Sequence, residues 1–174
     1  GFHHLWLGDT KGHVAPVTEG HWQVTSLVGV RDDIVYFEAL ADGPFENHLY
    51  RVPISGGQPE RLSQEGFTHS TTLRGQHVVD RYSAVGQPPR VEILDLDTPL
   101  KHIITDEVSE TKHPFHQYQS EIGSVEFGVL KAEDGQSLPW RLLRPVGVSS
   151  SSLCPVVVVV YGGPGVCLLY TSPS

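Results

Sequence analysis

His48-Leu49-Tyr50-Arg51, then Gly56-Gly57, then Glu60-Arg61-Leu62-Ser63, then Gly66-Phe67-Thr68: this stretch decides the fold, because an earlier one matches it. His4-Leu5-Trp6-Leu7 is followed by a Lys11-Gly12 turn, by Val14-Ala15-Pro16-Val17-Thr18 and by Gly20-His21-Trp22. The offset is about 44–46 residues, and a period of that length built from several short strands marks the blades of a β-propeller. Arg90-Val91-Glu92-Ile93-Leu94-Asp95-Leu96, with residues 100–105, forms a weaker third copy about 43 residues further on. Between the copies, residues 24–30 and 34–40 read as strands around the polar turn Arg31-Asp32-Asp33. Residues 68–73 and 77–84 repeat that arrangement around Arg74-Gly75-Gln76. Tyr50, Val52 and Ile54 share one face by the two-residue period of a strand. Each copy therefore predicts four short antiparallel strands, roughly two and a half blades in all, with the remainder of a propeller expected before Gly1.

After residue 105 the pattern changes. Residues 106–124 mix Glu107, Glu110 and Glu121 with His113-Pro114-Phe115-His116 and show no period, so they read as a linker between domains. Residues 125–132 and 137–144 predict a hairpin around Glu133-Asp134-Gly135-Gln136, since Asp-Gly is a strong turn signal. A serine-rich loop over 145–153 leads into Cys154-Pro155-Val156-Val157-Val158-Val159-Val160-Tyr161-Gly162-Gly163-Pro164-Gly165. Five consecutive valines predict a strand buried on both faces, as in the middle of a parallel sheet. The glycine-rich turn after it is where α/β enzymes place donors for an oxyanion. Hairpin, loop and buried strand match the opening of an α/β-hydrolase sheet. No convincing amphipathic helix is seen. The fold class expected is mostly β: the C-terminal blades of a β-propeller over 1–105, a linker over 106–124, and the first strands of an incomplete α/β-hydrolase domain over 125–166.

Composition narrows the function classes. The chain has 174 residues and a formal net charge of −8, which disfavours a nucleic-acid surface. With 18 glycines, 13 prolines and no methionine, it is rich in turns, and the lack of Met at position 1 suggests that it does not begin at a natural start. Its two cysteines, Cys154 and Cys167, are too few for a disulfide framework. No signal peptide or run of 18 apolar residues is present. Residues 167–174, Cys-Leu-Leu-Tyr-Thr-Ser-Pro-Ser, read like a translated sequencing adapter and are expected to be a scar of cloning or assembly.

Few residues suggest chemistry by type and spacing alone. His3-His4 and His113-x-x-His116 could pair on a metal, but zinc needs three or four ligands and no companion completes a set. Solvent-facing or strand-packed histidines are expected instead. Asp32-Asp33 and Asp95-x-Asp97 read as turn residues. No G-x-S-x-G motif occurs, so no nucleophile elbow can be named, and residues 149–152 read as a flexible connector. Residues 162–165 lack the spacing of a phosphate-binding loop.

Taken in order, the blades, the hairpin with Lys131-Ala132-Glu133-Asp134-Gly135 and the strand ending Tyr161-Gly162-Gly163-Pro164-Gly165 resemble the dipeptidyl-peptidase IV branch of the prolyl oligopeptidase family. Gly1-Phe2-His3-His4-Leu5, Thr18-Glu19-Gly20-His21-Trp22-Gln23-Val24, Val35-Tyr36-Phe37 and His48-Leu49-Tyr50 carry the likeness upstream. The resemblance implies a serine exopeptidase that removes N-terminal dipeptides with proline or alanine in second position, behind a propeller that gates the entrance. It implies that Tyr161 donates its phenol to the oxyanion, a bond whose loss would cost about 3–4 kcal/mol in the transition state. The family's catalytic serine, aspartate and histidine would lie beyond this sequence, and its paired substrate-gripping glutamates before Gly1, so the chain alone is expected to be inactive. Pro139 also departs from the family pattern. The expected partner is a peptide, with a homodimer of the full-length parent left open; no nucleic acid, metal or cofactor is implied. A propeller interaction module and a non-peptidase hydrolase, such as an esterase with an appended propeller, are the alternative readings. Localisation is open among cytosol, periplasm and membrane.

Overall fold

Among the described residues every sheet is antiparallel, with sequential strands side by side. The computed structural model describes residues 1–106, 114–149 and 153–160. β1 (Trp6–Gly8) and β2 (Val14–Pro16) form a two-stranded ribbon. β3 (Val24–Arg31), β4 (Ile34–Ala39), β5 (His48–Pro53) and β6 (Glu60–Arg61) lie side by side in chain order. β7 (Thr68–Arg74), β8 (His77–Ala84), β9 (Gln87–Asp95) and β10 (Lys101–Asp106) make a second sheet of the same order. β11 (Ser124–Lys131) and β12 (Ser137–Arg144) form a separate hairpin.

The repeat therefore has the expected strand content, and its phase is now visible. The second and third copies start in the third strand of a four-stranded sheet: β5 carries His48-Leu49-Tyr50-Arg51, and β9 carries the Arg90–Leu94 part of the weaker copy, while the first copy starts at β1 of the two-stranded ribbon. Sequence copies straddle the sheets instead of coinciding with them.

Local chemistry explains the turns. Asp32 and Asp33 both have positive φ, 50° and 61°, which suits a two-residue turn whose twist matches the strands it joins. Asp95 Oδ1 accepts from the backbone N–H groups of Asp97 (2.8 Å) and Thr98 (3.0 Å), an Asx turn. In the β11–β12 loop, Gly135 takes φ 83° and Asp134 Oδ1 accepts from Gln136 N–H at 3.0 Å, as the Asp-Gly signal predicts.

β4 is buried on both faces, which places it at the centre of the packing. One face contributes Val35, Phe37 and Ala39 to a core with Val17, Val24, Tyr50 and Val52, and Ile54 packs against it. Trp22, Phe37 and Tyr50 form a stack there, with centroids 6.2 and 5.7 Å apart. The other face contributes Tyr36, which meets Leu49, Val78 and Leu94 in the core between the two four-stranded sheets.

One expectation needs correction. Residues 156–160 do not form a buried strand: the five valines are 72–87% exposed, and no strand includes them. A β-branched run becomes a central strand only when neighbours pair with both edges and cover both faces. No described residue does so here. Within the expected linker, Pro114–Glu121 forms a 3₁₀ helix, and proline fits because a first-turn residue has no hydrogen bond to lose. Residues 107–113 of that linker lie outside the described residues.

Candidate functional site

Tyr161, the residue expected to serve an oxyanion, lies outside the described residues, as do the glycine turn at 162–165 and the tail at 167–174. The chemistry the described residues bring together sits instead at the junction of the two four-stranded sheets.

A buried polar network crosses this junction. His48 on β5 lies with Nδ1 2.9 Å from Ser63 Oγ and Nε2 3.0 Å from Glu46 Oε2. Ser63 Oγ also accepts the Leu49 N–H at 3.0 Å, so its own proton goes to His48 Nδ1. The His48 Nε2–H then donates to Glu46. Burial pushes the His48 pKa down, and the Glu46 hydrogen bond opposes that shift only in part. The ring is thus held neutral in one tautomer.

Ser63, His48 and Glu46 repeat the hydrogen-bond order of a catalytic triad, but the serine and the ring are sealed from solvent. Ser63 and His48 are buried, and Ser63 Oγ is also held by the Leu49 N–H. No substrate carbonyl could reach that oxygen. The network is a structural clasp.

The clasp continues into the second sheet. His69 on β7 lies 5.4 Å from His48 ring to ring. Its Nδ1 is 2.8 Å from Asp80 Oδ2 and its Nε2 2.8 Å from the Gln64 carbonyl. Glu38 on β4 reaches across to accept from Asn47 Nδ2 at 3.0 Å and from Thr71 Oγ1 at 2.8 Å. Sequence reasoning missed these residues. Glu38 lies between Phe37 and Ala39, but His48 follows Asn47 and Asp80 precedes Arg81, so no shared local pattern marks these buried polar groups.

The other residues weighed from sequence are accounted for locally. His4 Nδ1 lies 3.1 Å from Thr18 Oγ1 and Nε2 3.0 Å from the Gly20 carbonyl, so this ring is tied to the loop before β3. Among the described residues, no three His, Cys, Asp or Glu side chains are grouped to hold a metal ion. Cys154 is an exposed free thiol.

Below the clasp, the loops of both sheets and the hairpin enclose a cleft of about 400 Å³. This combination of stacked meanders and a following hairpin is shared with known proteins. Residues 1–89 match the family model described as the dipeptidyl peptidase IV (DPP IV) N-terminal region. The chain belongs to the dipeptidyl peptidase IV family.

Within this family, it is 28% identical over 169 residues to dipeptidyl peptidase 8 of Homo sapiens, a match covering 88% of this chain and 18% of that protein. It is 25% identical over 173 residues to a probable dipeptidyl peptidase 4 of Emericella nidulans, covering 95% and 22%. The crystal structure of Porphyromonas gingivalis dipeptidyl peptidase 4 superposes with a TM-score of 0.72 at 22% identity, covering 86% of this chain and 21% of that one. The chain thus spans about a fifth of the length of the relatives it matches. The two meanders of this dipeptidyl peptidase IV family chain are blades of a β-propeller.

Proposed function

We propose that the protein to which this chain belongs is a serine exopeptidase that releases N-terminal dipeptides, with proline or alanine in second position, from peptides. In this reading the blades form part of the gate, the β11–β12 hairpin opens the hydrolase domain over 125–166, and Tyr161 donates its phenol to the oxyanion. The chain itself carries no G-x-S-x-G nucleophile elbow, so it contributes walls and one donor while the serine, aspartate and histidine come from elsewhere in the full-length protein.

The observation that carries the reading is the run of similarity to dipeptidyl peptidases, which extends beyond the blades to cover 88–95% of the chain. A phenol suits the role because one fixed donor gains most where negative charge develops in the transition state.

The test uses the full open reading frame. The full-length protein should release p-nitroaniline from Gly-Pro-p-nitroanilide, and the 174-residue chain should not. Tyr161→Phe in the full-length protein should lower kcat about 10²–10³-fold with KM nearly unchanged. Turnover by the isolated chain, or an unchanged kcat in Tyr161→Phe, would overturn the assignment.

A further inference from the structure

The cleft of about 400 Å³ has a composition that points to a ligand. Phe45 and Glu46 reach it from the β4–β5 loop, Phe67 from the β6–β7 loop and Val85 from the β8–β9 turn. Phe127 of β11 closes the hairpin side, with its ring 5.0 Å from that of Phe45 and tilted by 54°. Phe45 and Phe67 are half-buried, and Phe127 is 41% exposed, so all three rings keep surface free. Among the described residues that line it, Glu46 alone is ionisable.

Glu46 is fixed but not neutralised. Its Oε2 accepts from the Gly66 N–H at 3.0 Å and from His48 Nε2 at 3.0 Å, while the side chain remains 36% exposed. The amide brings no charge, and burial keeps the His48 ring on its neutral side. Arg61, the guanidinium whose field reaches His48, is engaged by Asp42 at 2.7 Å and Glu65 at 3.4 Å.

A preset carboxylate beside aromatic faces attracts a cation twice over: by charge, and through the negative faces of the rings. The volume lies in the range of small-molecule sites, large enough for a side chain or a small amine. We propose that this cleft binds a monovalent organic cation, an ammonium or guanidinium carried on an apolar body, with Glu46 as counter-ion and Phe45, Phe67 and Phe127 as walls. The inference draws nothing from the peptidase reading, and its test involves no turnover.

The test is equilibrium titration of the full chain by NMR and calorimetry. The probes are phenethylammonium, N-acetylarginine amide and the neutral isostere 2-phenylethanol. At least one cation should shift the ring resonances of Phe45, Phe67 and Phe127 saturably, and bind at least tenfold more tightly than the alcohol. The probe that does so tells whether an amine or a guanidinium is the natural head group. Glu46→Gln, which keeps an acceptor for Gly66 and His48, should weaken the cation at least tenfold and leave the alcohol unchanged. Added salt should weaken the cation alone. Phe127→Leu, on the exposed hairpin, should weaken cation and alcohol together, and it decides the matter if Glu46→Gln fails to fold. Equal binding of cation and alcohol, no saturable shift, or a folded Glu46→Gln variant with unchanged affinity would overturn the proposal.

Discussion

At the scale of single residues, the blade junction depends on polar groups that have no access to water. The His69 and Asp80 side chains are 0% exposed and meet at 2.8 Å, and Tyr82 stacks on the imidazole with centroids 5.2 Å apart. Asp80→Ala would leave a buried ring nitrogen without its partner, and breaking such a pair costs about 3–5 kcal/mol. Urea denaturation should show a lowered midpoint, whereas a cost near that of an ordinary surface substitution would mean the pair contributes nothing. His48 gives a pH signature with a definite sign. Its pKa is depressed below 6.5 by burial, so the unfolded chain binds this proton more readily than the folded one. The stabilisation is complete above the ordinary imidazole value and fades as pH falls through the lowered folded value. His48→Gln should therefore flatten the acid side of a plot of denaturation midpoint against pH, and an unchanged slope would rule out His48 as its source. None of this was legible in the sequence, because a buried histidine and an exposed one are the same letter. What separates them is a partner such as Ser63, fifteen positions away on the chain.

At the scale of elements, local signals and long-range packing divide the credit. The strand pairs at 24–30 with 34–40 and at 68–73 with 77–84 could be read because alternation and a short polar turn are encoded side by side. Observed bounds of Val24–Arg31, Ile34–Ala39, Thr68–Arg74 and His77–Ala84 differ from those by a residue at most. The hairpin at Ser124–Lys131 and Ser137–Arg144 was legible for the same reason. The valine run was not, since its expected strand depends on neighbours the stretch itself does not specify. Packing between the blades also escaped the sequence. A Cβ at Gly29 on β3 would lie 2.8 Å from Leu73 Cδ2 on β7, so the Leu73 side chain occupies the space a larger residue at 29 would need. Gly29→Val should cost about 1–3 kcal/mol by overpacking. Adding Leu73→Ala should return part of that, giving a coupling of about 0.5–3 kcal/mol in a double-mutant cycle. Strictly additive losses would show that the two residues do not share the space.

At the scale of the whole molecule, the two four-stranded blades are joined, beside the buried polar network, in two further and physically different ways. Arg31, at the end of β3, holds Asp97 in the β9–β10 turn through paired bonds of 2.9 and 3.0 Å. Leu49, fully buried, joins Tyr36, Val78 and Leu94 in the core between the sheets. The ion pair is the more specific contact to look at, but it is solvated and screened, and holding two flexible side chains in one geometry costs entropy. The apolar contact has no such offset. Leu49→Ala should therefore cost about 2–5 kcal/mol, as deletion of a buried leucine does when its cavity cannot close. Asp97→Asn should move the denaturation midpoint hardly at all, and less still in high salt. The propeller architecture was readable at this scale only because the repeat multiplies a weak local pattern, whereas what fastens one blade to the next was not. If Asp97→Asn proved as damaging as Leu49→Ala, and the damage vanished with added salt, the blades would be fastened by charge and the apolar core between them would be secondary.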